Sequence, residues 1–415
     1  MSMELTVTEQ HEFDEMMNYC RLVKTNADVE TLLETAKHSV NEKHPLKLRR
    51  REFLDSLREL IYTEALPNTD LNINYDSDYS ATFSEIYIEN KVCDNEMAKN
   101  ILSHFNKAEI KYINHYKDIF TPAGQDIISQ KKNPALILAS KEGRLIYKGS
   151  RQCEDFGNDY FYYTSSVMNC CYDCEYCYLL GMYPSGNVVV FVNLDDIFSE
   201  LEEMLNDHPV YLCISYDTDL LALEGITGYV KRWIEFTNVH NNLTVECRTK
   251  SANIGIIEKY LDEGLCIPDR FIFAWTLSPD EISRRFEHKA PAFSSRLGAL
   301  KRACELDLST RICLDPVLLV DNYETLYSDM IKSIFTEIDS RKISDVSLGG
   351  FRIPKNYLTK MRKARTGSLA LFPYINTNNS CSYGPTKDKR LTEFVFNELL
   401  NYIPKEKIFV WKESS

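Results

Sequence analysis

The chain has no apolar run near the roughly 18 residues needed to cross a bilayer, so a membrane protein is not expected. It shows no secretory leader, and its 13 cysteines are odd in number and scattered through apolar stretches. A disulfide framework is therefore a poor explanation of them, and a reducing, cytoplasmic setting is expected. No C-x2-C or H-x3-H pair follows the one cysteine-dense stretch, so a zinc site would lack its usual second pair of ligands. Positive charge is scarce: 48 Lys and Arg stand against 61 Asp and Glu, a net charge of -13. Taken alone, that balance argues against a nucleic-acid partner. With 415 residues, 44% of them hydrophobic, the chain can bury a barrel-sized core and a small extra domain.

What is present is a tight array of thiols. Cys170, Cys174 and Cys177 form a C-x3-C-x2-C pattern, with Tyr176 just before the last cysteine. Three thiolates on one loop can hold three irons of a cubane [4Fe–4S] cluster and leave the fourth coordinatively open. An open iron can be chelated by the amino and carboxylate groups of S-adenosylmethionine (SAM), the arrangement of radical SAM enzymes. Two other readings stay open. One is a structural zinc site completed by Cys171 or Cys153, and the other is a set of inert thiols.

The first 82 residues read as helical, with apolar residues at helical spacing through 13–22, 29–36 and 53–60. Asp28 suits an N-cap for the second helix, and Pro45 suits the start of the third. Lys47, Arg49, Arg50 and Arg51 read as a solvated helix face, and residues 67–80 as a linker. An αβ segment follows, with strands at 86–88 and 135–139 and a helix near 95–106. After the cysteine loop, short buried strands are expected at 188–192, 210–215, 244–248, 271–276 and 310–314. Helical patterns lie near 194–205, 228–237, 254–263, 291–306 and 323–335. This alternation predicts a parallel sheet curling into a partial (β/α)6 barrel, with its chemistry at the C-terminal strand ends.

Those ends carry Ser215 to Asp219, Arg248 to Ser251, Thr276 to Ser278, and Asp315. Lys250 would supply a fixed charge for a carboxylate, while Thr218, Asp219, Thr276 and Ser278 could hold an amino group or ribose hydroxyls. Equally, polar residues commonly do no more than terminate strands. Between residues 352 and 390, nine basic residues face the single acid Asp388. They include Arg352, Lys355, Arg362, Lys363 and Arg365, and the run reads either as a solvated face or as a site for phosphates.

Together these motifs resemble the spore photoproduct lyase family, radical SAM enzymes that repair the ultraviolet thymine dimer of bacterial spores. The resemblance spans about residues 85–411. It runs through Glu85-Ile86-Tyr87-Ile88-Glu89, Asn169-Cys170, Tyr176-Cys177-Tyr178-Leu179, Asn193-Leu194-Asp195-Asp196, Thr227-Gly228, Thr249-Lys250, Phe286-Glu287, Arg296-Leu297 and Ser382-Tyr383-Gly384. It implies that Cys170, Cys174 and Cys177 ligate the cluster, and that Lys250, Thr218 and Thr276 contact SAM. One of Tyr176 and Tyr178 would relay a hydrogen atom. The basic run with Tyr383 would form a DNA-facing lobe.

The implied organisation is a helical extension (1–82), a small αβ domain (83–160), a radical SAM partial barrel (161–345) and a basic C-terminal lobe (346–415). The implied partners are lesion-bearing DNA and a reducing donor such as a flavodoxin or ferredoxin, with the chain as a monomer. The implied reaction uses the cluster and SAM to generate a 5′-deoxyadenosyl radical that repairs the spore photoproduct. One departure stands out. Tyr216 occupies the position of the family's hydrogen-donating cysteine, and Cys213 lies three residues earlier, on the opposite face by strand alternation. The alternatives are the same chemistry on another nucleic acid, a peptide or a small molecule, or a zinc-stabilised nucleic-acid-binding protein.

Overall fold

Three helices open the chain, Val7–Val23, Asn26–His38 and Leu46–Ile61. They are seen in a computed structural model that describes residues 4–23, 26–62, 82–150, 152–364 and 368–412. Their helical apolar spacing buries Met16, Met17, Cys20, Ala36, Phe53, Leu54 and Leu57. Pro45 precedes the third helix in an extended conformation, as its fixed φ suits. Asp28 is not a cap: its helix begins at Asn26, and Asp28 sits in the first turn, where the helix dipole favours a carboxylate. The stretch read as a linker, 67–80, lies outside the described residues, as does Arg365.

Two sheets carry the rest. The first runs in the order Glu109–Ile113, Glu85–Glu89, Leu136–Ala139, Val188–Phe191, Val167–Met168. The second runs Ile408–Val410, Asp345–Gly350, Thr310–Val317, Phe271–Thr276, Leu243–Thr249, Val210–Cys213, Phe161–Thr164, Ile146–Lys148. In the second sheet all neighbours are parallel except the last pair. It has two free ends, and is therefore an open, partial barrel.

Two expectations change. The strand expected at 188–192 forms, but beside Leu136–Ala139 in the first sheet. A fully buried parallel strand has the same apolar signature in either sheet, so the pattern cannot choose its partner. The barrel sheet instead takes up Phe161–Thr164, Asp345–Gly350 and Ile408–Val410. Both sheets thus draw strands from either side of the boundary expected at 160, and the second also from beyond the boundary expected at 345.

The barrel sheet has two contrasting faces. Leu212, Val245, Cys247, Phe273, Trp275, Ile312 and Leu348 belong to the apolar core, which also takes in residues of the helices Tyr229–Val239, Ile254–Asp262, Phe293–Glu305 and Tyr323–Glu337. The strand register places Cys213 beside Glu246, Arg248 beside Ala274 and Arg311, and Thr276 beside Cys313 on the other face. There Arg311 pairs with Glu246 at 2.5 Å, and Glu246 accepts from Tyr211 at 2.7 Å and from Arg248 Nε at 3.0 Å. A charged barrel face is a costly way to fill a core and marks a site. Among the described residues no helix is long and apolar enough to cross a membrane.

Candidate active site

The cysteine loop is held from its first residue. Asn169 adopts a left-handed backbone (φ 73°), which asparagine tolerates better than most residues. Its side chain donates to the Ser185 and Asn187 carbonyls at 2.8 and 3.0 Å, and accepts from Lys131 Nζ at 2.8 Å. Lys131 also donates to the Cys170 carbonyl at 2.8 Å. Farther along, Asp173 and Cys174 pair antiparallel with Glu287 and His288. The loop ends in the turn Leu179–Met182, which meets the Lys355–Ala364 helix so closely that a Cβ on Gly181 would lie 2.4 Å from the Tyr357 carbonyl oxygen. Glycine is required there.

The three thiols are free, and each lies within electrostatic reach of the other two. Burial pushes the Cys177 thiol up to about 11, against the pull of Lys131 and Lys250. Among the described residues no three His, Cys, Asp or Glu side chains converge closely enough for a single metal ion. A cubane cluster places its thiolates on separate corners, so a looser trio flanked by two lysines suits it. The donor set fits the cluster.

The strand-end residues divide sharply in role. Thr218 is buried and its hydroxyl has no hydrogen-bond partner, which leaves it open to a ligand. Lys250 Nζ stands 3.9 Å from Glu287 Oε1 and 5.6 Å from the Tyr176 ring centroid. Asp219, by contrast, is spent on the chain: it caps the Leu220–Thr227 helix at Ala222 N (3.0 Å) and accepts from Thr249 Oγ1 (2.8 Å) and Lys250 N (2.7 Å). Ser278 donates to Glu287 Oε1 at 2.8 Å, and the Thr276 carbonyl accepts from Arg296 at 3.1 Å.

Glu287 and Arg296, which sequence reasoning placed in the family's motifs without a role, stand at the centre of this site. Both are fully buried and paired, and Glu287 also accepts the Tyr176 hydroxyl. Burial opposes ionisation of Glu287, but Arg296 and Lys250 hold its carboxyl down at about 2. Tyr176 is thereby committed to Glu287. Tyr178 turns the other way, donating to the Tyr216 carbonyl, with the two rings 5.9 Å apart. Asp217, between Tyr216 and Thr218, accepts from Ser165 at 2.8 Å and from Tyr183, and burial raises it to about 6. Its other oxygen has no partner.

Cys213 and Tyr216 are brought together, against expectation. The strand ends at Cys213, so alternation does not extend to Tyr216, and both pack in one cluster with Phe161 and Tyr211.

The basic run is divided between residues spent inside the chain and residues at its surface. Arg352 makes a two-pronged pair with Asp315 at 2.8 and 3.0 Å, and Arg362 donates to the Ala370 and Phe372 carbonyls at 2.7 and 3.0 Å. Tyr383 is buried and accepts from Leu319 N at 3.1 Å. Lys355 and Lys363 of this predicted set are exposed, on the Lys355–Ala364 helix, as are Lys360, Lys389 and Arg390 of the wider run.

Comparisons with known proteins bear on the fold and the family. A model of the spore photoproduct lyase family matches residues 81–365. Comparison with curated proteins finds no match. Among solved structures, a spore photoproduct lyase variant superposes with a TM-score of 0.66 at 14% identity, covering 81% of this chain and 100% of that one. Another variant, with bound AdoMet and dinucleoside spore photoproduct, gives 0.65 at 15% identity, with 81% and 100% coverage. The lyase complexed with dinucleoside spore photoproduct gives 0.64 at 16% identity, with 80% and 98% coverage. At these identities the superpositions establish the fold, while the match over residues 81–365 establishes more. The chain belongs to the spore photoproduct lyase family.

Proposed function

We propose that the protein is a radical SAM lyase that repairs spore photoproduct in DNA. The observation that carries this reading is the three-thiol loop with the Lys250 ammonium beside it, together with the unpartnered Thr218 hydroxyl at the adjacent strand end. Cys170, Cys174 and Cys177 would hold a [4Fe–4S] cluster, which with SAM supplies a carbon-centred radical able to abstract hydrogen from the lesion.

The remaining chemistry falls to this chain's own side chains. Lys250 offers its charge to the SAM carboxylate, and Thr218 offers its hydroxyl to the amino group. Glu287, fixed by Arg296, holds Lys250, Tyr176 and Ser278 in one orientation. Tyr178, not Tyr176, faces the barrel side on which Tyr216 lies, and so suits a hydrogen relay. The open barrel requires the lesion to leave the base stack before it can reach these groups. Lys355 and Lys363 would meet the DNA backbone. A low-potential flavodoxin or ferredoxin would supply the electron, to a monomeric protein in the cytoplasm.

A second reading keeps the chemistry and changes the substrate. It is favoured by one observation, Tyr216 where a thiol is expected. Anaerobic turnover with SAM and dinucleoside spore photoproduct separates the two. Iron, acid-labile sulfide and thymine product support the repair reading. SAM cleavage with the lesion untouched supports the other substrate.

A further inference from the structure

The family match begins at residue 81, yet the helices before it line a cavity together with the basic helix of the C-terminal lobe. On Leu46–Ile61, Arg51, Asp55 and Arg58 recur at intervals of four and three, and so share one helix face. On Lys355–Ala364, Lys355, Thr359, Arg362 and Lys363 share a face in the same way. The two faces line a cavity of about 690 Å³, to which Tyr374 and Asn376 also contribute. That volume lies in the usual range for a small-molecule site.

Charge is distributed unevenly around it. The N-terminal wall is balanced within itself: Asp55 pairs with Arg58 at 2.6 Å and with Arg51 at 3.1 Å. Glu12 pairs with Arg58 and, at 3.6 Å, with Arg51, while Glu9 is taken by Arg50 at 3.0 Å. Glu59 is the remaining acid there. The opposite wall holds Lys355, Arg362 and Lys363 and, among the described residues, no carboxylate. The Ala370 and Phe372 carbonyls fix the direction of Arg362 without neutralising it. Three guanidiniums are thus drawn together. Burial and the charge of Arg362 lower Arg58 to about 9, and burial with the charge of Arg51 lowers Arg362 as well. Arg58 is 3% exposed, and its Nε has no hydrogen-bond partner. An unpaired buried donor is costly, and so are like charges held within reach of each other. An anion with several acceptor oxygens relieves both, and phosphate meets the planar fork of arginine with two parallel bonds.

We propose that this cavity is a phosphate-binding site, assembled jointly by the N-terminal helices and the Lys355–Ala364 helix. Arg51, Arg58 and Arg362 supply the forks, and Lys355 and Lys363 add charge at the exposed end of the same helix face. Two sources offer the group: a diester of a bound strand, and free phosphate or a mononucleotide. The site does not depend on the lyase reading, because none of its residues touches the cysteine loop or the strand ends.

Calorimetric titration of the full-length chain with inorganic phosphate, at constant ionic strength, tests this. One saturable site is expected in the wild type. Arg362→Gln should weaken it at least about tenfold, the loss expected for one hydrogen bond to a charged group. Because Arg362 also holds two carbonyls, Arg51→Gln is the second variant. Its side chain is half-exposed, so the same loss should come with an unchanged circular dichroism spectrum. Lys99→Gln, an exposed cation outside the cavity, should bind phosphate as the wild type does. No saturable uptake by the wild type, or uptake that both arginine variants leave unchanged, overturns the site. Titration with single-stranded oligothymidylate then assigns the source. DNA binding that phosphate competes away and Arg51→Gln weakens assigns a strand diester, whereas DNA binding indifferent to both assigns free phosphate or a nucleotide.

Discussion

The Lys250 ammonium sits 3.9 Å from Glu287 Oε1, close enough for attraction and too far for a strong hydrogen bond. Glu287 is already satisfied by Arg296, Tyr176 and Ser278. Lys250 is therefore aimed by a carboxylate that does not consume it, and it remains available to a second carboxylate. Lys250→Met should weaken SAM binding by about 1.5–3 kcal/mol, the range for a hydrogen bond to a charged group. Calorimetric titration of the reconstituted protein with SAM checks this, and the iron content should not change.

Glu287 should dominate the acid limb of stability. Its folded carboxyl lies near 2 against an ordinary 4.5, so its contribution is present above 4.5 and lost as pH falls toward 2. Glu287→Gln strands Arg296 in the core and should cost about 3–5 kcal/mol. Denaturant titrations across that pH range should show the wild type losing stability more steeply than the variant.

The exposed and internal cations should separate in DNA binding. Lys355→Ala and Lys363→Ala should each reduce the slope of log affinity against log salt by about 0.9 if each neutralises one phosphate. Arg352→Ala breaks the Asp315 pair and frees the Gln152 carbonyl, so its signature is a lowered melting temperature. Salt titrations by fluorescence anisotropy, set beside thermal melts, distinguish the two classes.

The chemistry of this chain was easier to read in its sequence than its geometry. Cys170, Cys174 and Cys177 speak through local spacing, and a loop of eight residues needs no tertiary knowledge. Lys250 was legible because strand ends in a parallel sheet gather on one rim. Val188–Phe191 was assigned to the wrong sheet because apolarity records burial, not partnership. Charge counting made Arg352 a free hand, since Asp315 lies 37 residues away in the chain.

Gly181 leaves no slack between the cysteine turn and Tyr357 of the basic helix. Where even a methyl group cannot be admitted, two segments move as one piece. A tilt of the Lys355–Ala364 helix as it grips a polyanion would thus be levered straight into the sulfur cradle. On the lyase reading proposed above, a change in the cluster's magnetic resonance spectrum on adding DNA is the expected sign of that coupling.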